Sequence, residues 1–243
     1  MSAVGCGAGG ASNSTGSGNS NPPPAVTLIA DNWQFGEPSA VRQIGAALNL
    51  TNSTITGAAH MIFDGSSCFA WDQGVSLSGT IDQQGNVSVT SSPLSGQVLT
   101  FTGVLDSSRS SISLGNYTFK GGCANGESGP ITGVKFKPVT GTYSGMLNSI
   151  AVSADLTQSP DLVGTDFLHV NGTVTYTSPT CSEVFTITKD SFLAGRSITL
   201  NLTAKDGTST ALSGSVNAEA SQLGLADYDG GCGGGGFGTL MRQ

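Results

Sequence analysis

Val75-Ser76-Leu77-Ser78-Gly79-Thr80-Ile81, then Asp82-Gln83-Gln84-Gly85, then Asn86-Val87-Ser88-Val89-Thr90 is the stretch that decides the fold class. Its two outer runs alternate apolar residues with small or polar ones, and four residues of turn chemistry separate them. A period of two puts every second side chain on one face, the pattern of a half-buried β-strand. Asp offers a side-chain acceptor to turn amides and Gly accepts positive φ, so the corner is built in as well. The stretch reads as a β-hairpin.

The same pattern extends outward. Residues 98–105 alternate, turn at Asp106-Ser107-Ser108-Arg109, and return over 112–119. Later runs at 168–176, 184–188, 198–204 and 210–216 have the same character, with a turn at Lys205-Asp206-Gly207. Eight strands are predicted in the first half: 30–35, 44–50, 54–63, 74–81, 86–90, 97–105, 111–120 and 130–137. No segment sustains a 3.6-residue apolar period, so little helix is expected. The fold class is all-β, an antiparallel meander in which each half forms an eight-stranded barrel or, alternatively, a β-sandwich.

Composition agrees. Charged residues are 10% of the 243 and Gly contributes 36, a bias toward short strands and tight turns. The net charge is −7 and the nine Lys and Arg are scattered. Nucleic-acid binding needs clustered cations against phosphates, so that function class is excluded. No run of 18 apolar residues exists to cross a bilayer as a helix.

The chain carries an internal repeat. Asp31-Asn32-Trp33-Gln34-Phe35 corresponds to Gly141-Thr142-Tyr143-Ser144-Gly145, and Ile55-Thr56-Gly57 to Val170-Asn171-Gly172. Cys68 corresponds to Cys181, and Gly121-Gly122-Cys123 to Gly230-Gly231-Cys232. Landmarks of four kinds keep nearly one offset, which indicates a duplication with halves at 27–137 and 138–243. Setting Cys6 aside leaves two cysteines per half, for which three connectivities exist. A copied unit favours a bridge within each half, Cys68–Cys123 and Cys181–Cys232. In a meander, turns after odd-numbered strands lie at one end; Cys68 follows the third strand and Cys123 the seventh. No CxxC occurs and neither His neighbours a Cys in sequence, so neither metal nor cofactor is expected.

Residues 1–26 are an N-terminus of another kind. From Gly7 to Asn21 the chain is Gly, Ala, Ser, Thr and Asn, followed by Pro22-Pro23-Pro24, the composition of a flexible spacer with a stiff end. Before it, Ala3-Val4-Gly5-Cys6 resembles the lipobox of bacterial lipoproteins, with Ala3 where Leu is usual. The resemblance implies lipid on Cys6, a membrane as partner, and a place in the cell envelope at the outer membrane or cell surface. The basic and apolar segments of a signal peptide do not precede Cys6, which the resemblance places upstream of residue 1. The openings Asn32-Trp33 and Gly141-Thr142-Tyr143 are similar to those of lipocalins and avidins, which implies barrels. Lipobox, tether and repeated Gly-Gly-Cys halves together resemble uncharacterised bacterial envelope lipoproteins.

Reactive groups are sparse. His60 and His169 stand alone on strands, and no Gly-x-Ser-x-Gly precedes a helix, so no catalytic residue is expected. Asp64 with Asp72, and Asp227 with Asp229, are the candidate carboxylate pairs for a carbohydrate-active alternative; solvated turn positions are expected for them. Trp33, Phe69, Trp71 and Tyr117 are the candidate ligand-binding aromatics, Phe69 and Trp71 lying just past Cys68. The expected function is a non-catalytic binding or structural module of the envelope, its partner a small apolar ligand or an envelope glycan.

Overall fold

The structure, a computed structural model, describes residues 30–36, 42–63, 68, 73–162, 168–227, 231–233 and 235–243. Strands β1 (Asp31–Gly36), β2 (Arg42–Thr51), β3 (Thr54–Phe63), β4 (Gln73–Ile81), β5 (Asn86–Ser91), β6 (Val98–Leu105), β7 (Ser111–Lys120) and β8 (Ser128–Phe136) form an antiparallel meander. Pairing of β1 with β8 closes it into an eight-stranded barrel. All eight strands of the first half lie where the alternation predicts them.

The second half contains β9 (Gly141–Leu147), β10 (Ile150–Leu162), β11 (Leu168–Ser178), β12 (Cys181–Ile187), β13 (Phe192–Ala194), β14 (Ser197–Ala204), β15 (Ser209–Val216), β16 (Gln222–Asp227) and β17 (Gly236–Arg242). It closes in the same way through the β9–β17 and β10–β11 pairings. The short β13 is an addition, pairing with β11 and β14 beside the ring of eight. Among the described residues the helical part is a three-residue 3-10 turn, Gly231–Gly233.

An eight-stranded barrel is just wide enough for inward side chains to fill it. In barrel 1 the aromatics do so: Trp33 and Phe35 stack at 6.0 Å between ring centroids, and Phe35 meets Phe101 at 4.8 Å. Strand β5 shows the logic of the sequence, its Val87 and Val89 buried and its Ser88 and Thr90 exposed. Barrel 2 is filled mainly by aliphatics, Leu156, Leu200, Leu212 and Leu240 among them, around Tyr143 and Tyr176. The Tyr143 hydroxyl donates to Ala220 O at 2.7 Å, and burial pushes this phenol above its ordinary range.

Each barrel is strapped at one end. Cys68, in the β3–β4 corner, is bonded to Cys123, in the β7–β8 corner, with Cα atoms 5.6 Å apart. Cys181 and Cys232 join the equivalent corners of barrel 2, also at 5.6 Å. These corners are four strands apart in a ring of eight, so each bond links opposite sides of its mouth. The buried Gln97 reinforces the first strap: its Oε1 accepts Ala124 N–H at 2.8 Å and its Nε2 donates to Cys68 O at 3.2 Å. Gly121 and Gly122, at φ of 80° and 57°, lie so close to the 96–97 segment that a Cβ on either would overlap it. At the other end of barrel 1, Arg109 donates to the carbonyls of Leu50 and Asn52, both at 3.3 Å, tying the β6–β7 corner to the β2–β3 corner.

Replacing Cys68 and Cys123 together by Ser should therefore cost about 2–4 kcal/mol of unfolding free energy, the usual range for a loop of this length. Denaturant melts of oxidised wild type against the double variant measure it. An unchanged midpoint would show that the strap does not constrain the unfolded chain.

Candidate functional site: the seam between the barrels

The outward face of β1 and β2 is unusual for a barrel wall. Asn32 is 1% exposed there, and Ala47 is buried beside it. What covers them is the turn between β13 and β14. Asn32 Nδ2 donates to Gly195 O at 2.8 Å, and Gly195 N–H donates back to Asn32 Oδ1 at 2.7 Å. Arg196 N–H donates to Gln34 Oε1 at 2.8 Å. Two side-chain amides of barrel 1 thus pair with backbone of barrel 2 as a strand edge would. Gly45 makes the approach possible, because a Cβ there would overlap the Ala194 carbonyl.

Ala30 and Ala47 belong to the same packed cluster as the core of barrel 2. The wall of barrel 1 therefore caps the unstrapped end of barrel 2. The connection between them is stitched down: Val139 is fully buried, its N–H donates to Gln158 Oε1 at 3.1 Å, and Lys137 N–H donates to Ala218 O at 2.8 Å. Arg242 also donates to the Thr140 carbonyl.

Two clefts open along this seam. One, of about 360 Å³, has Gln34, Gln43 and Thr132 from barrel 1 and Arg196 and Asn217 from barrel 2 around it. Val134, Phe136 and Val216 give it an apolar floor. The other, of about 390 Å³, is lined by Lys135 and Lys137, whose charges are taken: Lys135 pairs with Asp31 at 3.3 Å and Lys137 with Glu219 at 2.6 Å.

A second polar cluster supports the strap of barrel 2. Asp227, expected as a solvated turn carboxylate, is instead 4% exposed at the end of β16. It accepts Thr210 Oγ1–H at 3.0 Å and Gly231 N–H at 3.3 Å, so the carboxylate is retained to anchor the Gly-Gly-Cys loop. Glu183 accepts Cys232 N–H at 3.1 Å in the same loop. Burial, with Asp227 and Glu183 beside it, pushes the Tyr176 phenol well above its ordinary range. Cys181, Glu183 and Cys232 have donor atoms within 4.8 Å of one another, a metal-like spacing, but the two sulfurs are joined to each other. These groups hold structure.

Of the candidate aromatics, Trp33 and Tyr117 lie in the interior of barrel 1, 0% and 3% exposed, and Tyr117 donates to Glu127 at 3.3 Å. Cys6, Asp64, Phe69, Trp71, Asp72 and Asp229 lie outside the described residues, as does the side chain of His60. His169 Nδ1 lies 2.9 Å from Lys189 O, a structural contact. Asn32 and Gln34 stand out in the sequence only as landmarks of the repeat, and Gln43, Gly45 and Arg196 carry no motif. One signal for them existed: nine residues, 188–196, separate β12 from β14, where the equivalent corner of barrel 1 has four, 82–85. The extra residues form the docking turn. Compared with known proteins, the chain matches no family model, no curated protein and no solved structure.

Gly45→Val should separate the barrels, with an overpacking cost of about 1–3 kcal/mol at the seam. Small-angle scattering should show a larger radius of gyration, while Trp33 fluorescence in a Trp71→Phe background, reporting the interior of barrel 1, stays as in the parent protein. Unchanged scattering would contradict the role given to Gly45.

Proposed function

We propose that this chain is a lipid-anchored, non-catalytic module of the bacterial cell envelope whose working surface is the seam between its two barrels. One observation carries the reading: among the described residues the inward side chains pack into a core in each barrel, while the cleft with free polar groups lies between the barrels. A carrier of the lipocalin kind keeps its ligand inside a barrel; here Trp33, Phe35 and Phe101 occupy that space. The ligand, a small molecule or a fragment of envelope glycan, is instead reached from outside.

The non-catalytic part rests on what the carboxylates do. Among the described candidate acids, Asp227 is engaged by backbone of the Cys232 loop, as is the neighbouring Glu183. A glycoside-cleaving pair needs two carboxyls facing a shared substrate space. The anchoring part rests on Cys6 in its lipobox-like setting and on the Gly/Ser/Asn spacer that follows. Two or more acyl chains on one residue give stable membrane attachment.

Intact-mass analysis of native, detergent-extracted protein tests the anchor. The expected species begins at Cys6 and carries the added mass of its acyl chains. Cys6→Ser should move the protein from the membrane fraction to the soluble one. A native chain with an unmodified Cys6, or unchanged fractionation of the variant, would remove the anchor.

A further inference from the structure

We infer that the cleft bordered by Gln43 and Arg196 is a receptor site for a small organic carboxylate. The inference rests on the seam being the binding surface and adds the chemistry of what it binds.

Most hydrogen-bonding groups around the cleft are already used. Gln34 spends its whole amide on the seam: Oε1 accepts Arg196 N–H, and Nε2 donates to Phe35 O at 2.9 Å and to Gln43 Oε1 at 3.2 Å. Asn217 spends its own within its turn, with Oδ1 accepting Ser221 N–H and Gln222 N–H and Nδ2 donating to Ser221 Oγ. The Thr132 hydroxyl donates to Gly36 O at 3.4 Å. Because the Gln43 oxygen is tied to Gln34, the group it has left for the cleft is its NH₂. The Arg196 guanidinium, exposed at the rim, has neither an ion-pair nor a hydrogen-bond partner among the described residues.

What remains is therefore donors, one of them a planar cation. An acceptor-only anion satisfies them, and a guanidinium fork matches a carboxylate in two parallel bonds. The floor of Val134, Phe136 and Val216 takes the apolar body behind that head group. The other clefts differ in this respect. The lysines of the second are already neutralised by Asp31 and Glu219. A third cleft, of about 420 Å³ on the outer wall of β4 to β7, is bordered by Asp82, whose carboxylate is itself engaged by Asn86 Nδ2 at 2.7 Å. Of these three clefts, the one with an unpaired cation among the described residues is that of Arg196, in a chain whose net charge of −7 would otherwise disfavour anions.

The test is titration of the isotope-labelled full chain with hexanoate, followed by amide NMR, with hexanamide as neutral control. Hexanoate should shift the Gln43 side-chain NH₂ together with the backbone amides of 134–136 and 216–218. Hexanamide at equal concentration should not. Arg196→Gln, which keeps the backbone bond to Gln34, should weaken hexanoate binding about tenfold, the scale of one charge-assisted contact. Gln43→Glu, which puts a like charge at the mouth, should abolish binding. Equal shifts from hexanamide would overturn the carboxylate assignment and leave the seam as a binding surface. No response to either compound, or full affinity in Arg196→Gln, would overturn the site itself.

Discussion

A covalent bond between two corners four strands apart imposes more on a small barrel than any other contact in this molecule. In each barrel the bond brings the Cα atoms of cysteines from opposite rims within 5.6 Å. Just before the second cysteine of each pair, a Cβ would overlap neighbouring groups. Glycine is therefore required before Cys123, where the backbone takes positive φ and lies against residues 96 and 97. The same holds before Cys232, where a Cβ on Gly231 would run into the Tyr176 ring. The glycines at 121, 122 and 231 are thus steric requirements of the approach to each strap. Polar groups finish it: Gln97 in barrel 1, Asp227 and Glu183 in barrel 2. The two barrels solve one problem with different side chains.

Once the mouths are crossed and the interiors filled, interactions with other molecules are left to outer walls and junctions. Barrel walls have no free edges, so the junction here is made by side chains acting as strand-like partners. Asn32 and Gln34 meet the backbone of the 195–196 turn, and small residues at 45 and 47 let it sit close. This arrangement closes the second end of barrel 2 and holds the backbone of Arg196 at the seam. The amide of Gln34 then sets the amide of Gln43. A structural device for docking two barrels is in this way also the device that leaves unpaired donors in a cleft.

Much of the fold was legible because inward and outward residues in barrel 1 differ sharply in hydropathy, as in Val87-Ser88-Val89-Thr90. The cysteine pairing followed from the internal repeat, and strand parity in the first half agreed with it. The ends of barrel 2 were harder for physical reasons. Strand β9 turns Tyr143, Gly145 and Leu147 to one face, so glycine interrupts its apolar series. Strand β17 inverts the pattern: Phe237 is 76% exposed while Gly238 lies between strands, and only Leu240 is buried as the alternation would have it. Asp227 read as a turn residue because its partner Thr210 comes from another strand. The seam was the least legible part, since Asn32 and Gly195 are 163 residues apart and neither is a conspicuous residue type for an interface.

The central claim is that each half of the chain carries its own strap across its own barrel. Peptide mapping of the native protein under non-reducing conditions tests it most directly. The account predicts that peptides containing Cys68 and Cys123 travel as one linked species and those containing Cys181 and Cys232 as another. Linkage of Cys68 to Cys181, or of Cys123 to Cys232, would contradict it.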